Sequence, residues 1–151
     1  MPKKTFKKLY ISDILSIVAI INQKVKEKED LSKLLILNQI QIRDLIGLET
    51  TIETPFQSFG GHQPYKDVFS ISGALLYFLS RSQNFLDGNK RMSILITSYF
   101  LYINGYVLNI PPIELYEITK VIVLSSPSQK DNLIKALSDV ISSSSLKRVT
   151  I

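Results

Sequence analysis

The sequence predicts an all-α fold, a bundle of five to seven helices around one core. Three observations carry that prediction. The strongest hydrophobic periodicities have the 3.6-residue helical spacing. Two neighbouring stretches, 65–81 and 89–103, are too apolar to face water and belong inside a bundle. Helix-breaking pairs, Thr54-Pro55, Gly60-Gly61, Asn104-Gly105 and Pro111-Pro112, punctuate the chain at intervals that leave room for helices and little else. A chain of 151 residues with 45% hydrophobic content fits one domain with a real core.

In chain order, Ser12 is placed to cap a helix with Ile14, Leu15, Val18, Ile21 and Val25 on one broad face, fraying after Lys26. Helical stretches are expected over 31–39 and 42–52. Proline and the glycine pair then make 53–64 a loop or a small flap hairpin. The helix expected over 65–81 buries Val68, Phe69, Ile71, Ala74, Leu75, Phe78 and Leu79, and that over 89–103 buries Ile94, Leu95, Ile96, Tyr99, Phe100 and Leu101. Asn104-Gly105 ends the latter with a C-terminal glycine signal. Pro111-Pro112 opens a helix through 123, and Ser128 is placed to cap a last one to about 141. Short strand pairing is allowed near 53–59 and 106–110. The domain thus spans 9–141, between a basic N-terminal tail, 1–8, and a C-terminal tail, 142–151, that starts in Ser142-Ser143-Ser144-Ser145.

With no cysteine, a disulfide framework and a thiolate metal site are excluded, which suits a reducing cytoplasm. The first apolar run is broken by Ser12, Asp13 and Ser16, so a soluble, cytoplasmic protein without a membrane span is expected. The net charge of +5 invites a nucleic-acid reading, but Lys3, Lys4, Lys7 and Lys8 carry most of it; the other fourteen basic residues face thirteen acidic ones. No zinc-finger spacing or aromatic RNA-binding signature accompanies the charge, so a solvated tail and no specific nucleic-acid partner are expected.

Core packing does not explain Asp87-Gly88-Asn89-Lys90-Arg91, which sets a carboxylate, a glycine, an amide and two cations at a helix start. The first N–H groups of a helix lack partners within it and the macrodipole adds partial positive charge, so anions bind there. Gly88 lets backbone approach a ligand, Lys90 adds charge and Arg91 can hold a phosphate bidentately. Asp87 would repel a bare phosphate and makes sense as ligand of a bridging divalent metal such as Mg²⁺. Phe85, between polar neighbours, is expected to anchor the loop in the core. The alternative is a plain helix cap with solvated cations, against which stands the burial of the helix that follows.

The segment Gln83-Asn84-Phe85-Leu86-Asp87-Gly88-Asn89-Lys90-Arg91 closely resembles the Fic/Doc signature His-x-Phe-x-(Asp/Glu)-Gly-Asn-(Lys/Arg)-Arg. Phe85 and Asp87 through Arg91 match in order. The resemblance extends through Pro55-Phe56-Gln57-Ser58-Phe59-Gly60-Gly61, Ala74-Leu75-Leu76-Tyr77 and Tyr102-Ile103-Asn104-Gly105-Tyr106, covers most of 9–140, and is strongest over 49–106. Among relatives the chain looks most like the short death-on-curing toxins. The resemblance implies a compact Fic/Doc helical bundle and transfer of a phosphoryl group or AMP from ATP to a protein hydroxyl, with elongation factor Tu as the target in the Doc-like branch. It implies Asp87 as Mg²⁺ ligand, Gly88, Asn89, Lys90 and Arg91 as phosphate cradle, and Thr54, Pro55, Phe56 and Gln57 in a flap that aligns the target, by strand addition. It also implies a cognate antitoxin.

One position departs from the pattern. The family's histidine, its general base, falls at Gln83, and the proline common after it at Asn84. An imidazole with a pKa of ~6.5 accepts a proton near neutrality, whereas an amide only exchanges hydrogen bonds. The sole histidine, His62, lies in the glycine loop and does not match the base; Tyr65 and Tyr77 read as core or rim. Gln83 marks either a natural pseudoenzyme or a toxin inactivated by substitution, and the near-isosteric glutamine in an otherwise intact motif favours the second. The competing class is a non-catalytic interaction module that holds an antitoxin or another protein.

Overall fold

The computed structural model describes residues 6–34, 36 and 38–149. Among these, six α-helices form the body: α1 (Ile11–Lys26), α2 (Leu45–Glu53), α3 (Val68–Arg81), α4 (Asn89–Ile103), α5 (Pro112–Leu124) and α6 (Lys130–Ser144). Two strands, β1 (Tyr106–Leu108) and β2 (Ser145–Lys147), pair antiparallel with Tyr106 opposite Lys147. The expected all-α bundle is what forms, and none of its described helices is long and apolar enough to cross a membrane.

Where the helices start is decided by side-chain caps and tertiary partners. Ser12 is not the cap of α1: the Asp13 carboxylate accepts the Tyr10 N–H (2.9 Å) and Ser12 lies inside the first turn. The helix expected from 42 begins at Leu45, because the Arg43 and Asp44 N–H groups donate instead to the Asn84 carbonyl (2.8 and 3.0 Å). Asp44 then caps α2 by accepting from the Gly47 N–H (2.8 Å). Over 31–39 there is a single 3₁₀ turn, Ser32–Leu34, in place of an α-helix; Leu35 and Leu37 lie outside the described residues. Asp67 and Ser70 cap α3 reciprocally, so 65–67 precede the helix rather than belong to it.

Helix α4 covers the expected 89–103. Ser126, not Ser128, opens the last helical segment: it caps a 3₁₀ turn, Pro127–Gln129, that feeds α6. The serine run expected to start a tail completes α6 instead, Ser143 and Ser145 donating to the carbonyls of Asp139 and Ile141, and Ser145 opens β2. At the other end, Met1 to Thr5 lie outside the described residues, while Lys7 is held by the Asn104 side chain, which accepts its N–H (2.7 Å) and donates to its carbonyl (3.0 Å).

Apolar packing falls on two sides of α3 and α4. On one side Ile71, Leu75 and Leu79 of α3 and Met92, Ile96 and Phe100 of α4 meet Ile14, Val18 and Ile21 of α1 and Leu48 and Ile52 of α2. On the other, Ala74 and Tyr77 with Ile94 and Leu101 meet Leu115 and Ile122 of α5 and Ile134, Leu137 and Ile141 of α6. The most enclosed helix is α3, and its contact with α6 is close enough to require Gly73. A methyl there would come within 2.9 Å of the Ser138 nitrogen and 3.0 Å of the Ile134 carbonyl, and would fall on the Ser138 hydroxyl. Because two of those atoms are backbone, Gly73→Ala is expected to push α3 and α6 apart and cost about 1–3 kcal/mol, read as a lower denaturant midpoint.

Candidate functional site

The motif loop leaves α3 at Arg81 and enters α4 at Asn89. Arg81 serves the frame: its guanidinium donates to the Ile122 and Ser125 carbonyls (3.1 and 2.9 Å), tying the C-terminal ends of α3 and α5 together. Phe85 anchors the loop as expected, with 1% of its surface exposed. Asn89 clamps the same residue by its backbone, accepting the Phe85 N–H (2.9 Å) and donating to the Phe85 carbonyl (3.1 Å). The Asn89 side chain thus shapes the loop, with both its oxygen and its NH₂ committed to the Phe85 backbone.

Gly88 is the N-cap of α4, with φ +80° and no side-chain cap on the N–H groups that follow. A Cβ at Gly88 would meet only ordinary contacts, the nearest at 3.7 Å, so backbone conformation rather than space selects glycine. One Asp87 oxygen accepts the Gly88 N–H (2.8 Å). Asp87, Lys90 and Arg91 form no ion pair among the described residues. Leu86 through Arg91, with Tyr116 of α5, line a concavity of ≈ 150 Å³. Two free cations and an uncapped helix start therefore share one small hollow with an unpaired carboxylate.

The far wall of the loop is a segment whose last two residues, 42 and 43, periodicity assigns to helix. Residues 40–43 run antiparallel to the motif: Leu86 donates to the Gln41 carbonyl (2.9 Å), Ile42 bridges Phe85, and Arg43 donates to the Asn84 carbonyl. Asn22 of α1 fixes the start of this wall, its amide accepting the Ile40 N–H (2.6 Å) and donating to the Ile40 carbonyl (2.9 Å). Asn84, where the resemblance expects proline, is 7% exposed and donates to the Thr51 hydroxyl of α2 (2.8 Å). Gln83 is exposed, and its side-chain oxygen accepts from the Arg43 guanidinium (3.3 Å). Asn22, Arg43 and Tyr116 carry no motif, and nothing short of the fold marks them.

The expected flap divides in two. Thr54, Pro55 and Phe56 form a 3₁₀ turn at the end of α2, with Pro55 buried and the Phe56 ring on Phe6 and Phe100 (centroids 6.0 and 5.6 Å). They root the flap in the core. Its exposed part runs from Gln57 to a hairpin in which Phe59 and His62 exchange both backbone hydrogen bonds (2.7 and 2.9 Å). Gly60 and Gly61, at φ +56° and +81°, make the two-residue turn that a hairpin of this hand needs. His62 lines a separate groove of ≈ 560 Å³ against α6, with Tyr65, Asp67 and Asp131. There burial, and then the Asp131 charge, push the Tyr65 phenol up.

The Fic/DOC family model matches residues 8–101, from just before α1 through most of α4, including the motif loop and the 40–43 segment beside it. The chain belongs to the Fic/Doc family. No curated protein and no solved structure matches it.

Proposed function

We propose that this chain is a Doc-like toxin of a type II toxin–antitoxin system whose nucleotide-binding half is intact and whose transfer chemistry is disabled at Gln83. The observation that carries the reading is the hollow at the start of α4, where Lys90, Arg91 and uncapped N–H groups meet and, among the described residues, neither cation is in an ion pair. Its ≈ 150 Å³ suits phosphate groups, and the nucleoside would extend beyond it. Asp87 keeps an oxygen for a divalent cation. Because no cluster of three or more potential ligands occurs among the described residues, Mg²⁺ would rest on Asp87 and on phosphate oxygens together.

ATP, when bound, supplies the phosphoryl or adenylyl group destined for a hydroxyl of a protein target such as elongation factor Tu. The chain's own contributions are positional. Lys90, Arg91 and the α4 N–H groups hold anionic oxygens, Gly88 gives them access, and Asn89 and Phe85 keep the loop in shape. The hairpin beyond Gln57 offers backbone to a target strand. Gln83 orients without taking a proton, because an amide is no base. The antitoxin, as a partner, rests on the family resemblance.

The test is calorimetric titration with ATP and Mg²⁺. Binding is expected to depend on Mg²⁺, and Asp87→Ala and Arg91→Ala are each expected to weaken it by about tenfold or more, the worth of a charge-assisted contact. ATP affinity unaltered in both variants would place the nucleotide elsewhere. A second reading, a non-catalytic module that holds a protein, draws support from Gln83 and from exposed Ile46 and Leu86 beside the motif (81% and 61%). It expects partner binding indifferent to nucleotide and to changes at Lys90 and Arg91.

A further inference from the structure

Arg43 stands at the end of the 40–43 wall, and its backbone is fixed to the motif by the bond to the Asn84 carbonyl (2.8 Å). Its guanidinium reaches Gln83 (3.3 Å). Guanidinium nitrogens only donate, so the Gln83 atom facing Arg43 is the carbonyl oxygen and the NH₂ group points away. The acceptor of position 83 is thereby occupied, and its donors are left over. Arg43 forms no ion pair among the described residues. The nearest carboxylate in sequence, Asp44, is turned away to cap α2 through the Gly47 N–H (2.8 Å). A planar cation and an amide donor therefore sit side by side, exposed, at the opposite end of the same loop from Lys90 and Arg91.

We propose that Arg43 and Gln83 form a second oxyanion subsite of the motif loop, built to hold a phosphoryl group. Where the family's histidine accepts a proton, this chain donates hydrogen bonds. The substitution at 83 then does more than remove a base: it converts the attacking end of the site into a clamp for the terminal phosphate of a nucleoside triphosphate. The fork of Arg43 matches two oxygens of a tetrahedral phosphoryl group, and the Gln83 NH₂ supplies a further bond. For the identity of the ligand this rests on the nucleotide reading given above. For the chemistry of the subsite it does not.

The experiment is a titration of the isotope-labelled full chain, followed by the side-chain signals of Gln83 and Arg43, first with inorganic phosphate and then with ATP and Mg²⁺. Both signals are expected to move with phosphate. Arg43→Ala is expected to weaken that response about tenfold, Arg43→Lys less, and Arg91→Ala is expected to leave it in place. A dispersed spectrum in each variant establishes that the fold persists. If phosphate moves Gly88, Lys90 and Arg91 but not Gln83 or Arg43, the subsite is refuted and the nucleotide reading stands. If phosphate moves Gln83 and Arg43 while ATP moves nothing, the subsite stands and the nucleotide reading falls. No movement anywhere overturns both.

Discussion

Gln83→His is expected to raise transfer from ATP to a protein hydroxyl by about 10²–10⁴-fold, the usual worth of a general base. The frame for that base is already present. Phe85 is locked in the core, Asn89 holds the Phe85 backbone, and the Asn84 carbonyl is held by two N–H groups of the opposite wall. The side chain at 83 is exposed, so an imidazole of similar size fits without repacking. Arg43, beside it, disfavours a second positive charge, which keeps the introduced imidazole neutral and ready to accept a proton near pH 7. Activity should therefore climb as pH rises through the pKa of that imidazole and then level off. The check is labelling of proteins from α- and γ-labelled ATP, together with growth of cells that express the variant. Growth arrest with label from γ- but not α-labelled ATP identifies phosphoryl transfer; label from α- identifies adenylyl transfer. A variant inert with both labels would mean that the site is not poised.

Phe85→Ala carries the largest expected cost in stability, about 3–5 kcal/mol. The ring is 1% exposed and packs in the core that joins α1, α2, α3 and α4. Its loss leaves a cavity under the motif loop as well as removing apolar burial. For a chain of 151 residues this corresponds to a midpoint of thermal unfolding lower by roughly 6–20 °C. Phe85→Leu, which refills much of the space, should cost markedly less. Circular dichroism through the melt measures both. An unshifted midpoint for the alanine variant would show that the loop is held by its hydrogen bonds alone. Where the variant stays folded, weaker ATP binding is expected as well, because the α4 N–H groups and Arg91 are presented from a loop that Phe85 seats.

Much of this arrangement was legible in the chain. Helix α4 lies where the sequence puts it because its limits are local: Gly88 supplies a left-handed N-cap and Asn104-Gly105 a stop. The cluster from Asp87 to Arg91 was legible as a candidate anion site because charge with no packing purpose stands at a helix start. The far wall of the site was not. Residues 42–44 have helical periodicity, and only a carbonyl at Asn84, forty positions away in the case of Asp44, draws them into extended form. Asn22 and Arg43 are unremarkable in sequence for the same reason: their partners, Ile40 and Gln83, are set by the fold. The serine run was opaque differently. Its hydroxyls can bond their own helix at i−4, so a segment that reads as a tail finishes α6 and enters a strand whose partner, β1, lies far back in the chain.

The proposed division of the loop, into a part that binds nucleotide and a position, Gln83, where the proton-accepting base is missing, is the central claim. It is tested most directly by measuring ATP affinity in Mg²⁺ for the Gln83 chain and for Gln83→His side by side. The expected result is binding by both, dependent on Mg²⁺ and weakened about tenfold or more by Arg91→Ala in either background, with transfer in the histidine variant alone. Failure of the Gln83 chain to bind ATP, with binding restored by the histidine, would contradict it, because binding would then require the family's base and not the loop as it stands.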